Sequence, residues 1–132
     1  MMRSRILFIS GCQEDARRLS QMLHSLPLVL DHAGTLRQAR AMLDQNGYSV
    51  ILTEAALPDG QWLDALHLAR ESPQDLEVVV TDPHADAHLW AEVLNCGAYD
   101  LLAQPFYGPE VCRILEYACT RLGRQGSAMA AV

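Results

Sequence analysis

Polar residues follow four of the apolar runs in this sequence, and at one of them the polar residue is a carboxylate. Glu54 comes directly after the run VILT and before the turn segment AALPDG. The groups that follow the other three runs are hydroxyl, thiol, carboxylate and amide groups, at Ser10-Gly11-Cys12, Thr81-Asp82 and Ala103-Gln104-Pro105. A carboxylate at the end of a buried strand can act as a nucleophile, a base or a metal ligand. Glu54 is therefore the first candidate for a functional residue.

The segments that carry these residues alternate between strand patterns and helix patterns. Apolar runs predict five strands, at Arg5–Ser10, Leu28–His32, Val50–Thr53, Leu76–Thr81 and Leu101–Ala103. Apolar residues at helical spacing predict a helix after each strand; the first should reach Pro27, the fourth should run from Leu89 to Cys96, and the last should begin at Pro109. Five alternations predict an α/β fold whose parallel sheet is covered by helices on both faces. Such a sheet has its functional crevice at the carboxyl ends of the strands, so the polar run ends should meet there.

Two short motifs mark the ends of elements. Thr35 and Gln38 form a capping-box pattern that predicts the start of the second helix. Pro58-Asp59-Gly60 is a turn signal, to which we assign no catalytic role.

The composition predicts one cytoplasmic globular domain. The chain has 132 residues, half of them apolar, which suits a single packed domain. The net charge of −6 argues against a nucleic-acid partner, because such a partner requires a basic face. The apolar runs are too short to span a membrane, and the N-terminal segment becomes acidic too early for a signal peptide. The four cysteines lack metal-ligand spacing, so we expect free thiols.

Four segments carry a family resemblance: ILFIS, YSVILTEAALPDG, VVVT and NCGAYDLLAQPF, in this order along the chain. From Arg5 to about Leu122 the sequence resembles the receiver domain of bacterial two-component response regulators. The resemblance implies a flavodoxin-like, doubly wound parallel sheet with strand order 2-1-3-4-5 and five helices. It places a receiver-like domain at residues 1–122 and leaves residues 123–132 as a flexible tail. We expect no cofactor, because this sequence lacks the acidic pair that holds Mg²⁺ in the family.

The resemblance also assigns roles at the crevice. In the family, an aspartate at the end of the third strand accepts phosphate from a histidine kinase, and two acidic residues after the first strand hold Mg²⁺. A hydroxyl after the fourth strand binds the phosphoryl group, and a lysine after the fifth strand neutralises its charge. By position, Glu54 replaces the phosphoacceptor, Ser10 and Gly11 replace the acidic pair, Thr81 keeps the hydroxyl and Gln104 replaces the lysine.

These replacements predict a receiver that is not phosphorylated. Mg²⁺ requires oxygen ligands, usually carboxylates, and Ser10 and Gly11 supply none. The sequence contains no lysine at all, whereas phosphoryl transfer depends on charge neutralisation. Glu14 and Asp15 lie beyond the usual ligand positions, so we expect no catalytic residue and no metal site. Glu54 either mimics a phosphorylated state by accepting a hydrogen bond from Thr81 or is a solvated strand-end carboxylate, and the sequence leaves both open.

Without phosphorylation, the predicted role is protein–protein interaction by a stand-alone domain. The family contact face lies on the fourth helix, fifth strand and fifth helix, which the resemblance carries to Asp86–Cys96, Asp100–Ala103 and Pro109–Leu122. Charges of both signs beside aromatic side chains are typical of interfaces. We expect a homodimer or a contact with other signalling proteins through Leu89, Trp90, Val93, Asp100, Arg113, Tyr117 and Arg121.

Other functions remain as alternatives. One is a receiver phosphorylated at a non-standard residue. Another is a small phosphatase, because Cys12 and Arg18 have the C-x5-R spacing of a phosphate-binding loop. His84 and His88, with acidic residues nearby, have the spacing of a helical metal site. A dinucleotide-binding domain is disfavoured, because the first predicted turn lacks the G-x-G-x-x-G pattern.

Overall fold

The computed structural model describes residues 4–121, which form a five-stranded parallel sheet between two layers of helices. The sheet strands, labelled in chain order, are β1 (Ser4–Ile9), β2 (Leu28–Ala33), β3 (Val50–Glu54), β4 (Glu77–Asp82) and β5 (Asp100–Ala103). The helices are α1 (Gln13–Met22), α2 (Leu36–Gln45), α3 (Trp62–Glu71), α4 (Ala87–Asn95) and α5 (Gly108–Thr120). The tail predicted for residues 123–132 lies outside the described residues. Within the described range, no helix is long and apolar enough to cross a membrane.

The strand order confirms the predicted topology. The sheet runs β2-β1-β3-β4-β5, so the chain moves outward from β1 to β2 and then returns past β1 to β3. The register pairs Ile9 with Thr53 and Glu54 with Thr81. Because ligands bind where the strand order reverses, this topology places the crevice over the carboxyl ends of β1 and β3.

Each central strand is buried on both faces. In β1, Ile6 and Phe8 pack in a cluster with α1 and α5, whereas Leu7 and Ile9 pack in a cluster with α2, α3 and α4. All four side chains are completely buried. Burial on both faces explains why this strand is a continuous apolar run rather than an alternating one.

A short hairpin connects β3 to α3. Ala56–Leu57 pairs antiparallel with Gly60–Gln61, and Asp59 lies at the turn. The two carboxylate oxygens of Asp59 accept hydrogen bonds from the backbone N–H groups of Leu36 at 2.8 Å and of Arg37 at 3.1 Å. The turn signal is thus confirmed, and its aspartate also caps the N-terminus of α2.

Four helix boundaries differ from the sequence expectation, two of them by one residue: α4 ends at Asn95 instead of Cys96, and α5 begins at Gly108 instead of Pro109. Helix α1 ends at Met22 instead of reaching Pro27, although the apolar spacing continues through a turn to Leu26. Helix α4 begins two residues earlier than predicted, because Asp86 caps it by accepting a hydrogen bond from the Leu89 N–H at 2.8 Å.

Candidate functional site

The structure gathers the predicted strand-end residues at one edge of the sheet. Ser10 follows β1, Glu54 ends β3, and Thr81 lies beside Glu54 in the register of β4. Gln104 follows β5 and donates its side-chain N–H to the Thr81 hydroxyl at 3.2 Å. Gly11 lies against Pro58, whose Cγ would be 3.2 Å from a Cβ at that glycine. These residues form the floor and one wall of the candidate crevice.

Ser10 is the central hydrogen-bonding residue of the crevice. It is completely buried, and its hydroxyl donates to Glu54 Oε1 at 2.8 Å and accepts from the Cys12 N–H at 2.9 Å. The Ser10 carbonyl oxygen lies 2.7 Å from Nε2 of His32, which is therefore the donor. One small residue thus connects β2, β1 and β3. A carboxylate at this position would repel Glu54, whereas the serine hydroxyl stabilises it by a hydrogen bond.

The surroundings of Glu54 disfavour its negative charge. Partial burial raises the pKa of the Glu54 carboxyl, the hydrogen bond from Ser10 lowers it, and the nearby carboxyl groups of Asp15 and Asp82 raise it further. The net direction is upward from the ordinary glutamate value. The crevice is therefore acidic and holds one carboxyl group that binds a proton more readily than usual.

Asp15 is a crevice residue that the sequence did not assign. It lies in the first turn of α1, and its carboxyl group is close enough to Glu54 to raise the pKa of that carboxyl. The neighbouring Glu14 is exposed and forms an ion pair with Arg17 at 2.6 Å instead. Asp15 thus acts on Glu54 electrostatically, and the expectation that both acidic residues lie beyond the usual ligand positions stays a prediction. The signal in the sequence is its position one turn after Ser10, on a helix that begins at the crevice.

The Thr81 hydroxyl points away from Glu54. It is completely buried, donates to the Leu102 carbonyl oxygen at 2.7 Å and accepts from Gln104. A hydroxyl has one proton to donate, and here β5 holds it. The hydrogen bond from Thr81 to Glu54 that phosphate mimicry requires is therefore absent, and Ser10 is the hydroxyl that contacts Glu54.

The C-x5-R spacing does not form a phosphate-binding loop. Cys12 directly precedes α1, and the residues from Gln13 to Arg18 are helical. The Arg18 Nε lies 3.9 Å from a carboxylate oxygen of Glu14. A helical segment cannot wrap its N–H groups around a phosphate as a loop does.

The histidine pair near α4 does not form a metal centre either. The backbone N–H of His84 donates to the Asp82 carboxylate at 2.8 Å, and Asp86 is engaged as the helix cap. Among residues 4–121, no group of three or more histidine, cysteine or acidic side chains is positioned to hold a metal ion. That statement includes the residues of the acidic crevice.

The predicted contact face is only partly exposed. Trp90 is 50% exposed and donates its indole N–H to Asp100 Oδ1 at 3.2 Å. On α5, Tyr117 is 38% exposed and Arg113 is exposed. Tyr107, which the sequence did not assign, is 66% exposed just before α5. We call α4, β5 and α5, with these side chains, the α4–β5–α5 face.

One of the predicted interface residues does not face outward, and two others are only partly exposed. Val93 is completely buried, and Leu89 is partly buried against the same core cluster. Arg121 forms an ion pair with Asp75 at 2.5 Å and lies 3.7 Å from Glu77, at the start of β4. Val93 is therefore removed from the predicted contact, whereas Leu89 and Arg121 remain partly exposed.

Comparison with known proteins identifies the family. The sequence matches the response regulator receiver domain over residues 6–116. The transcriptional regulatory protein DpiA of Escherichia coli (strain K12) is 34% identical over 73 residues, which are 55% of this chain and 32% of DpiA. The chain spans about a third of the length of the curated relatives it matches.

Solved structures show the same fold. The receiver domain of the Francisella response regulator 1452 has a TM-score of 0.80 at 18% identity, covering 91% of this chain and 99% of that one. The beryllofluoride-activated NtrC4 receiver domain dimer also has a TM-score of 0.80, at 24% identity, covering 89% of this chain and 97% of that one. The sheet order, the position of the crevice and the sequence match agree. This chain belongs to the response regulator receiver domain family of two-component signalling.

Proposed function

We propose that this receiver domain is not phosphorylated and acts through protein–protein contacts of its α4–β5–α5 face. The observation that carries the proposal is the hydrogen bond from Ser10 to Glu54. Ser10 and Gly11 stand at the positions where the family has an acidic pair that holds Mg²⁺ beside the phosphoacceptor. Neither Ser10 nor Gly11 can hold that ion through a carboxylate.

The charges of the crevice support the proposal. A phosphoryl group adds a charge of about −1.5 to −2 at neutral pH. The charged groups that act on Glu54 are the carboxylates of Asp15 and Asp82, which would repel it. Gln104, at the lysine position, donates a neutral amide N–H to Thr81. Phosphoryl transfer requires positive groups that neutralise the phosphoryl charge, whereas the charged groups around Glu54 are negative.

The composition of the face supports a contact function. Trp90 on α4 and Tyr117 on α5 are large and partly exposed, and Arg113 is exposed one helical turn before Tyr117. Tryptophan, tyrosine and arginine are the residues that most often dominate binding energy at interfaces. NtrC4, whose receiver domain has the same fold, forms a dimer. We propose a homodimer or a contact with another signalling protein through this face.

Intact-mass spectrometry tests the proposal. Incubation with acetyl phosphate and Mg²⁺ should leave the mass of the wild-type protein unchanged. The Glu54→Gln variant serves as a matched control, because it removes the acceptor carboxylate and keeps the shape of the side chain. A mass increase of one phosphoryl group in the wild type that is absent from Glu54→Gln would contradict the proposal.

Phosphorylation at Glu54 itself is the second candidate function. The observation that favours it is the contact of Asp15 with Glu54, which gives the acceptor position an acidic neighbour. This candidate predicts a modification that maps to Glu54 and that Asp15→Asn reduces. Equal modification of wild type and Asp15→Asn would remove its support.

A further inference from the structure

Helix α4 has little apolar packing to hold it in place. Val93 is its only fully buried side chain, whereas α3 buries five residues and α5 buries four. Packing of an apolar face supplies most of the stability of a helix in a protein. The orientation of α4 therefore depends more than that of its neighbours on polar contacts.

Three polar contacts hold α4, one at each end and one in the middle. Asp86 caps the N-terminus by accepting from the Leu89 N–H. Trp90 donates from the middle of the helix to Asp100 on β5. At the C-terminal end, the guanidinium of Arg70 on α3 donates to the Cys96 carbonyl oxygen.

The C-terminal end of α4 is built around Arg70. The N–H groups of Gly97 and Ala98 donate to the carbonyl oxygens of Leu94 and Val93, both at 3.0 Å, which is a Schellman motif. Gly97 has a φ of 99°, a conformation that favours glycine. A Cβ at Gly97 would also overlap the Arg70 guanidinium. The motif satisfies two terminal carbonyls, and Arg70 satisfies the one at Cys96.

The chemistry of this contact is favourable. The last carbonyl groups of a helix lack intrahelical partners and carry a partial negative charge. A guanidinium is planar and always charged, so it can bind a carbonyl while lying flat across a glycine. The contact joins α3 to α4, two helices whose relative position sets the direction in which Trp90 projects.

We propose that Arg70 is a positioning residue that fixes the C-terminal end of α4 and thereby the presentation of Trp90 on the α4–β5–α5 face. The inference rests on the proposed function for its biological meaning, because that function makes the face a contact surface. The positioning of α4 by Arg70 involves only contacts within this chain. It can therefore be tested without a partner.

Hydrogen exchange tests the local part of the proposal. In Arg70→Ala, amides near the C-terminal end of α4 should exchange about fivefold faster than in wild type, the effect of losing a contact of moderate strength. The amides of β1 and α5 should keep their wild-type rates. Arg70→Lys, which keeps a charged donor, should restore part of the protection. Arg40→Ala is the matched control, since Arg40 is an exposed arginine on α2 with a 3.5 Å ion pair to Glu71.

Iodide quenching of tryptophan fluorescence tests the presentation of Trp90. The sequence contains two tryptophans, and Trp62 is 8% exposed, so iodide reports mainly on Trp90. Quenching should change in Arg70→Ala and stay at the wild-type value in Arg40→Ala. Trp90→Phe gives the background signal of Trp62.

The outcomes separate this proposal from the proposed function. Wild-type exchange in α4 of Arg70→Ala, or faster exchange spread evenly over the sheet, would overturn the positioning role. Faster exchange in α4 without a change in quenching would overturn the effect on Trp90. A wild-type protein that neither dimerises nor binds a signalling protein would defeat the proposed function, while the exchange and quenching results would still decide the role of Arg70.

Discussion

Ser10 determines the chemistry of the crevice at the scale of single residues. Its hydroxyl stabilises a carboxylate that burial and two acidic neighbours destabilise. The same hydroxyl accepts from the Cys12 N–H, where the chain turns from β1 into α1. Under the proposed function, the residue at the family's acidic position is therefore a hydrogen-bond donor to Glu54.

The bond between Ser10 and Glu54 can be measured by a double-mutant cycle. Ser10→Ala should lower the free energy of unfolding by about 1–2 kcal/mol at pH 7, because it removes a buried donor to a charged acceptor. The loss should be smaller in a Glu54→Gln background, where the acceptor carries no charge. Urea unfolding of the four proteins gives both values. Equal losses in the two backgrounds would show that the two side chains are not coupled.

Glu54 should also make the folding stability of the protein depend on pH. The raised pKa in the folded state means that folding favours the protonated carboxyl. Its contribution to stability is therefore fully present below the pKa of the unfolded chain and is lost as the pH rises through the folded pKa. Glu54→Gln should remove this loss, so the variant should gain stability relative to wild type between pH 4 and pH 7, roughly the range above an ordinary glutamate pKa. Thermal unfolding across that range measures the difference, and parallel curves would contradict the assignment.

Helix α2 shows how an element depends on a distant segment. The sequence predicted its start from Thr35 and Gln38, and Thr35 does accept from the Gln38 N–H at 3.0 Å. The Gln38 side chain accepts from Gly34 rather than from Thr35, at 2.7 Å. The cap by Asp59 could not be predicted, because it joins residues that are more than twenty positions apart. Local spacing predicts local hydrogen bonds, whereas contacts between elements follow from the assembled fold.

The Asp59 cap predicts an acid-sensitive start of α2. Hydrogen bonds from the Leu36 and Arg37 N–H groups lower the pKa of the Asp59 carboxyl. Its stabilising effect is therefore present above the pKa of the unfolded chain and is lost as the pH falls through the folded pKa. Asp59→Ala should be less stable than wild type at pH 7, and this difference should shrink in acid. Unfolding curves at neutral and acidic pH check the prediction, with Asp64→Ala as the control from the start of α3.

The whole fold was predictable because its signals are periodic and repeated. Five alternations of strand and helix patterns predicted the sheet, and the family resemblance supplied the strand order. The register then determined that Glu54 and Thr81 lie side by side. Side-chain direction was not predictable: Thr81 binds Leu102, Asp15 lies near Glu54, and Arg121 pairs with Asp75 and Glu77. Each of these depends on distances between elements that the sequence does not contain.

The oligomeric state tests the contact face on the whole molecule. Arg113→Glu and Tyr117→Ala should weaken association, because both side chains are exposed on α5. Arg121→Ala, directly after the end of α5, is the control: it should associate like wild type but lose roughly 1 kcal/mol of stability with its ion pairs to Asp75 and Glu77. Sedimentation velocity measures association, and urea unfolding measures stability. If Arg121→Ala dissociates while the other two variants associate normally, the assignment of the face is wrong.

The hydrogen bond from Thr81 to Leu102 bears on how a cell would control such a protein. A signalling protein with two conformations responds to whatever changes the ratio of their populations. Under the proposed function the acceptor takes no phosphate and β5 holds the Thr81 proton, so a kinase cannot shift the two populations. The fraction of partner bound then depends only on the two concentrations and on the Kd. Under the proposed function, synthesis and degradation of the protein would set the strength of its signal.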